Sequence, residues 1–373
     1  MHSEHTNFLG DKNLHFAAAA HRQNLTRKSF VGAAALAASA AVLSGCGAYS
    51  NSGANTGTSS STDSADSSTD SKSLTPITFC LDYVPNTNHA GIYVAQELGY
   101  FSDAGFEVNI IQPADGSAEQ VIGSGQAQFG ISYQDYIANS LASDNPMPID
   151  AVAAVIQHNT SAIMSRAEDD ITHFAALEGH TYTTWEMPVE QAIMQQCMEQ
   201  DGGDWSKVTL VPYETDDDVA GLRSHMYDAV WVYEGWAIQQ AKIQGVDINS
   251  FNFIDVDETF DYYTPVIAAN QDYLANNKDE AKAFIAACKK GYEYCVEDPD
   301  GAADILVKQV PELDAALVKE SMGYLAGQYV ADASSWGVID PERWRRFYQW
   351  LNDKSLLDKQ IDVDAGYTTD FLA

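Results

Sequence analysis

Two successive sets of short apolar runs alternate with helical patterns, one from Pro76 and one from near Asp169, and this constrains the fold most. In the first set, residues 77–81, 107–112, 129–132, 149–157 and 161–166 read as strands. Residues 116–124 and 133–143 between them carry helical spacing. The second set has strand patterns over 180–185, 207–213, 227–233 and 251–256, with helical ones over 189–199, 216–226 and 235–244. Pro188 suits a first helical position, where its missing N–H would be unpaired anyway. Such alternation builds a parallel-type sheet covered by helices. Residues 263–269 read as a strand that returns the chain to the first set. Two α/β lobes joined by two crossings predict a hinged pair with a cleft between them. After Asn270 the patterns over 278–296, 301–310, 314–328 and 341–353 are all helical, which predicts a helical tail over a finished lobe. The expected boundaries are 75–168 plus 264–373 for lobe I and 169–263 for lobe II.

The N-terminus has a different character. Residues 1–45 read as a lipoprotein signal peptide. Arg27-Lys28 supply the positive end, and the apolar run over 30–43 spans about 14 residues, too short for a membrane-spanning helix. It ends in Leu43-Ser44-Gly45-Cys46, which resembles a bacterial lipobox and implies lipidation of Cys46. Residues 46–74 are rich in Ser, Thr and Asp and read as a flexible tether. The expected location is the extracytoplasmic face of the cell membrane, held by the lipid. The 53 acidic and 20 basic side chains give a net charge of −33 and leave no basic stripe, which argues against a nucleic-acid partner. Cys80, Cys197, Cys288 and Cys295 lack metal-like spacing and read as buried thiols.

Four clusters fall at predicted strand ends. They are Asp82, Tyr83, Asn86, Asn88 and His89; Tyr133 and Asp135; Trp185 and Glu186; and Tyr233, Glu234 and Trp236. In α/β folds that edge is where ligands bind. Aromatic faces hold a flat ring, while carboxylates and amides read its polar edge. The expectation is a cleft for a small, flat, hydrogen-bonding molecule. No hydrolase elbow, phosphate loop or zinc-protease motif is present, so no catalytic residue is assigned. His89 is read as a hydrogen-bonding or capping contact rather than a base. The acidic runs at Asp216, Asp217 and Asp218 and at Asp255 and Asp257 read as helix starts, without a metal.

The stretch from Asp82 to Ala95, with Asn86-Thr87-Asn88-His89-Ala90-Gly91 at its centre and Gly99-Tyr100-Phe101 following, is similar to the opening motif of the NMT1/THI5-like solute-binding proteins. Residues 122–132, 228–236 and 262–266 resemble later blocks of that family. The resemblance implies a type II periplasmic-binding-protein fold that closes on its ligand like a hinge. It implies an aminopyrimidine-like precursor of thiamine as ligand, and delivery to an ABC permease and its ATPase by a monomer without a cofactor. Riboflavin is the alternative ligand, and the pyrimidine synthases of the same superfamily are the enzyme alternative. Carried onto this chain, Tyr83, Trp185, Tyr233 and Trp236 would stack on the ring. Asp82, Asn88, His89, Glu186 and Glu234 would read its nitrogens, and Tyr263 joins the ligand-binding set.

Overall fold

A computed structural model describes residues 73–113, 117–215 and 217–372. The stretches expected to be a signal peptide and a tether, with Cys46 between them, lie outside the described residues up to residue 72, as does Asp216. The chain enters with β1 (Thr75–Cys80), β2 (Phe106–Ile111), β3 (Phe129–Ser132) and β4 (Ile149–Ala154). It crosses to β5 (Ser161–Arg166), β6 (Thr181–Thr184), β7 (Thr209–Pro212), β8 (Ala229–Tyr233) and β9 (Ile248–Asn252), and returns as β10 (Val266–Asn270).

The strands form two sheets on one plan, ordered β2-β1-β3-β10-β4 and β7-β6-β8-β5-β9. In each, the first three strands are parallel and the fourth runs against both neighbours. That fourth strand is the one that has just crossed from the other sheet. It enters from the far end, so it must run the opposite way. The two-lobed α/β architecture with a helical tail is as the alternation predicts, but each sheet is mixed where a parallel type was expected.

Two further expectations need correction. β5 falls within the span expected for lobe I, yet it pairs with β8 and β9 in the second sheet, so the switch comes before Ser161. All six of its residues are buried, and a strand covered on both faces reads alike in either sheet. The strand expected over 251–256 lies instead at Ile248–Asn252. Phe253 leaves the strand to bury itself completely. Beyond it, the Asp257 carboxylate accepts the Thr259 N–H and starts a short turn rather than extending the strand.

The helices that matter for the site are α1 (Ala90–Glu97), α2 (Ala118–Gly123), α3 (Gln134–Ala142) and α4 (Pro188–Gln200). The tail supplies α5 (Lys278–Glu297), α6 (Pro299–Gln309), α7 (Ala315–Leu325) and α8 (Pro341–Asp353). Asp298, Asp314 and Asp340 cap the last three of these by accepting first-turn N–H groups, each cap contributing about 1 kcal/mol. The tail is bound to the first sheet by aromatic packing. Phe284 of α5 stacks on Phe129 at 4.3 Å and on Phe101 at 5.0 Å. Tyr292 stacks on Trp336 at 4.5 Å, and the Trp336 indole donates to the Val155 carbonyl at 3.0 Å.

The two crossings are tied to each other. Asp261 on the second accepts the Asn159 N–H of the first at 2.9 Å and His158 Nδ1 at 2.7 Å. The Asn159 amide donates in turn to the Phe260 carbonyl at 2.8 Å. α8 lies over this junction, with Phe347 stacked on Tyr262 at 4.1 Å.

Candidate functional site

The turn between β1 and α1 is a closed hydrogen-bond circuit. Asn86 caps a short turn at Thr87–His89, its side chain accepting the Asn88 N–H at 2.9 Å. The Asn86 N–H donates to His89 Nδ1 at 3.2 Å. A nitrogen that accepts cannot also carry the proton, so Nε2 carries it and donates to Asp82 Oδ1 at 2.6 Å. The Tyr133 hydroxyl, from the turn after β3, donates to the other oxygen of Asp82. Burial pushes the Asp82 carboxyl up, but the imidazole and the phenol outweigh it and hold it below the ordinary carboxylate range. Asp82 thus joins two strand-end turns and remains an anion. His89, expected either to read the ligand's nitrogens or to cap, is fully buried with both nitrogens engaged inside the turn, which leaves the capping role and removes it from the ligand set.

The β3–α3 turn contributes Tyr133, Asp135 and Tyr136, and the rings of the two tyrosines lie 5.3 Å apart. Burial raises Asp135 to about 7 against the lowering effect of the N–H groups of Asp135 and Tyr136, and the charge of Glu119 adds to the rise. Glu119, in the first turn of α2, accepts the Ser132 hydroxyl at 2.7 Å. Burial pushes its carboxyl up as well.

The second sheet supplies the facing wall. The Glu190 carboxylate accepts the Tyr182 hydroxyl at 2.6 Å, the Thr184 hydroxyl at 2.9 Å and the Trp185 N–H at 3.1 Å, which shapes the β6–α4 turn. Trp185 lies there, 5.5 Å from the Trp231 ring and 6.4 Å from Tyr213. Glu186 follows with a φ of 61° and is exposed. Tyr233, the last residue of β8, is 39% exposed. Enough protein surrounds its hydroxyl that desolvation pushes the phenol up, and the charges of Asp135 and Asp82 add to this. Those two acids belong to the first sheet, so the two walls face each other here. Trp236 is half-buried in a π-helical turn at Glu234–Ile238. The Glu234 carboxylate accepts the Tyr324 hydroxyl of α7.

The structure therefore brings Asp82, Tyr133, Asp135 and Tyr233 together and places Trp185 on the second wall. Tyr83 and Asn88 are half-buried on the opening turn, where the Asn88 carbonyl accepts the Tyr292 hydroxyl at 2.8 Å. Asn86 is occupied as a cap. Tyr263, expected to touch the ligand, is 1% exposed, and its hydroxyl oxygen accepts the Asp340 N–H at 2.7 Å. Its ring lies under Arg343 and beside Trp344, so it belongs to the packing of α8. Its neighbour Tyr262 is buried and stacked on Phe347 of α8, yet lies near enough to feel Asp135. Burial raises its phenol, with the charges of Asp135 and Tyr233 adding.

Glu119, Tyr136 and Tyr262 were not singled out from the sequence. Tyr136 had a usable signal, being one helical turn from Tyr133. Glu119 had none, because an acid in a first helical turn is ordinarily a solvated charge.

A pH effect follows from Asp135. Its folded value lies above its unfolded one, so the stability it contributes is complete below about pH 4 and is lost as pH rises through about 7. Asp135→Asn is expected to flatten the fall in melting temperature across that interval in thermal melts of the ligand-free protein. Parallel curves for the two proteins would rule this out.

The family model described as NMT1/THI5 like matches residues 86–302. Among curated proteins, the chain is 28% identical over 305 residues to a formylaminopyrimidine-binding protein of Halalkalibacterium halodurans, covering 80% of this chain and 91% of that one. It is 23% identical to riboflavin-binding protein RibY of Chloroflexus aurantiacus, covering 80% and 87%. It is 22% identical to the 4-amino-5-hydroxymethyl-2-methylpyrimidine phosphate synthase THI11 of Saccharomyces cerevisiae, covering 65% and 73%. Among solved structures, the alkanesulfonate-binding protein SsuA of Xanthomonas axonopodis pv. citri superposes with a TM-score of 0.61 at 11% identity, covering 80% of this chain and 99% of that one. That likeness establishes the fold, which is the one periplasmic binding proteins use.

Proposed function

The chain belongs to the NMT1/THI5-like family, and from that membership we propose that it is the solute-binding lipoprotein of an ABC importer, capturing a thiamine-pyrimidine precursor between its lobes. The ligand in this reading is an aminopyrimidine of the hydroxymethyl or formylaminomethyl type. One observation carries it. Asp82, Glu119 and Asp135 of the first lobe lie among the phenols of Tyr133, Tyr136, Tyr233 and Tyr262, and apart from the His89 imidazole bound to Asp82 the charged neighbours acting on them are acids and phenols.

A ring amine gives up N–H donors to carboxylates, and a protonated Asp135 donates to a ring nitrogen. The Trp185, Tyr233 and Trp236 rings suit the flat faces. A sulfonate or phosphate beside the ionised Asp82, whose hydrogen bonds are already taken by His89 and Tyr133, would set two like charges together, which is costly. The chemistry favours capture over turnover, because both nitrogens of His89 are committed within their own turn. Cys46 carries the lipid in this reading, on the extracytoplasmic face, with permease and ATPase as partners. A Cys46→Ala chain is then expected in the soluble fraction, and its retention in membranes would sink the anchor.

Calorimetry of the protein against hydroxymethyl- and formylaminomethyl-aminopyrimidine, thiamine, riboflavin and an alkanesulfonate tests the ligand. Micromolar or tighter binding of a pyrimidine is expected. Heat with riboflavin alone would replace the ligand and keep the class, whereas turnover of a bound pyrimidine would overturn the class.

A further inference from the structure

α7 touches both walls of the cleft through one side chain. Ser321, fully buried, donates its hydroxyl proton to the Gly235 carbonyl in the turn after β8. Its oxygen lies 2.6 Å from the hydroxyl of Thr87 in the turn after β1. A serine has one proton to give, so here Thr87 donates and Ser321 accepts. A single oxygen therefore links the turn carrying Asp82 and His89 to the turn carrying Tyr233 and Trp236.

The neighbouring contacts hold the same two turns. The Tyr329 hydroxyl donates to the Thr87 carbonyl at 2.8 Å, and the Tyr324 hydroxyl to Glu234. Gly235 leaves room for the close approach, since a Cβ there would lie 2.9 Å from Leu325 Cδ2. With Thr87 and Ser321 both buried, no water is at hand to replace a lost partner.

We propose that Ser321 is a positioning residue that sets the separation of the two cleft walls through Thr87 and Gly235, without touching the ligand. The affinity part of this proposal rests on the ligand-capture reading above; the geometric part does not. The described native cysteines are buried, so spin labels on Glu107→Cys and Glu199→Cys, one exposed site on each lobe, report the interlobe distance in a full chain carrying Cys46→Ser.

The ligand-free protein is expected to give one narrow distance distribution. Ser321→Ala and Thr87→Val should each broaden or shift it, the double variant no further than either alone, and Thr87→Ser should restore it. With the pyrimidine, the two disabling variants should lose about tenfold in affinity, the cost of one buried hydrogen bond, mainly through faster dissociation. Unchanged distributions in both disabling variants would overturn the proposal, as would equal, additive losses of melting temperature with no change in distance. A parent protein that binds no pyrimidine would sink the ligand reading, and the distance distributions would then decide the role of Ser321 by themselves.

Discussion

Asp82→Ala is expected to weaken capture of the protein's ligand, on the reading proposed above an aminopyrimidine, by about 100-fold or more. The carboxylate is the common acceptor for the His89 Nε2–H and the Tyr133 hydroxyl. Removing it strands the fully buried His89 donor and the half-buried Tyr133 hydroxyl, each costing about 1–3 kcal/mol, and every 1.4 kcal/mol is tenfold in affinity. It also frees the turn after β1 from the turn after β3, so the aromatic and acidic groups on both lose their spacing. Asp82→Asn keeps the volume and one acceptor oxygen, and should fall between the two. Calorimetry with whichever ligand the parent protein binds measures the effect. An affinity within about threefold of the parent for Asp82→Ala would place the ligand elsewhere in the cleft, since less than 1 kcal/mol would then separate the two.

Gly91→Ala and Gly291→Ala carry the largest expected loss of stability, about 3 kcal/mol or more each. These glycines are where α1 and α5 pack backbone to backbone. A Cβ on Gly291 would lie 2.0 Å from the Gly91 carbonyl oxygen, and one on Gly91 would lie 2.3 Å from Cγ of Tyr292. The Tyr292 ring cannot yield. It is stacked on Trp336, packed edge-on to Tyr329 at 5.3 Å, and tied by its hydroxyl to the Asn88 carbonyl. At roughly 2 °C per kcal/mol for a domain of this size, the melting temperature should fall by roughly 6 °C or more. Melts within about 1 °C of the parent would mean that the two helices separate at little cost. Gly91 sits in the opening motif, so its requirement is one of packing rather than ligand contact.

The readings that held from the sequence were local ones. Residues 129–132 and 161–166 are strands at the expected positions, and 341–353 is a helix with Pro341 at its start and Asp340 as its cap. Those patterns repeat over two to four residues, within the reach of one strand or one turn. The clusters at 82–89, 133–135 and 233–236 were legible for the same reason, since each lies on a single strand-end turn. The cap by Asn86 was not read, since Asn86 was expected to bind the ligand, although its partners are only two and three residues away.

The readings that changed depend on partners far along the chain. Tyr133 meets Asp82 across 51 residues, and Tyr324 meets Glu234 across 90. Tyr263 packs under α8, and Tyr262 beside it stacks on Phe347 of the same helix, because α8 folds back over the second crossing. Alternation shows that adjacent residues face opposite ways, but not which side is the cleft.

By itself, the sequence determined two rounds of α/β alternation, a helical tail and polar turns at the strand ends, because these arise from local periodicity and capping. Only the tertiary structure decided that β5 belongs to the second sheet. It also decided that Glu119 is a buried acid of the site and that Ser321 bridges the two walls. Burial, and the partners that make it tolerable, are set by what the rest of the chain packs against, and no local pattern carries that information.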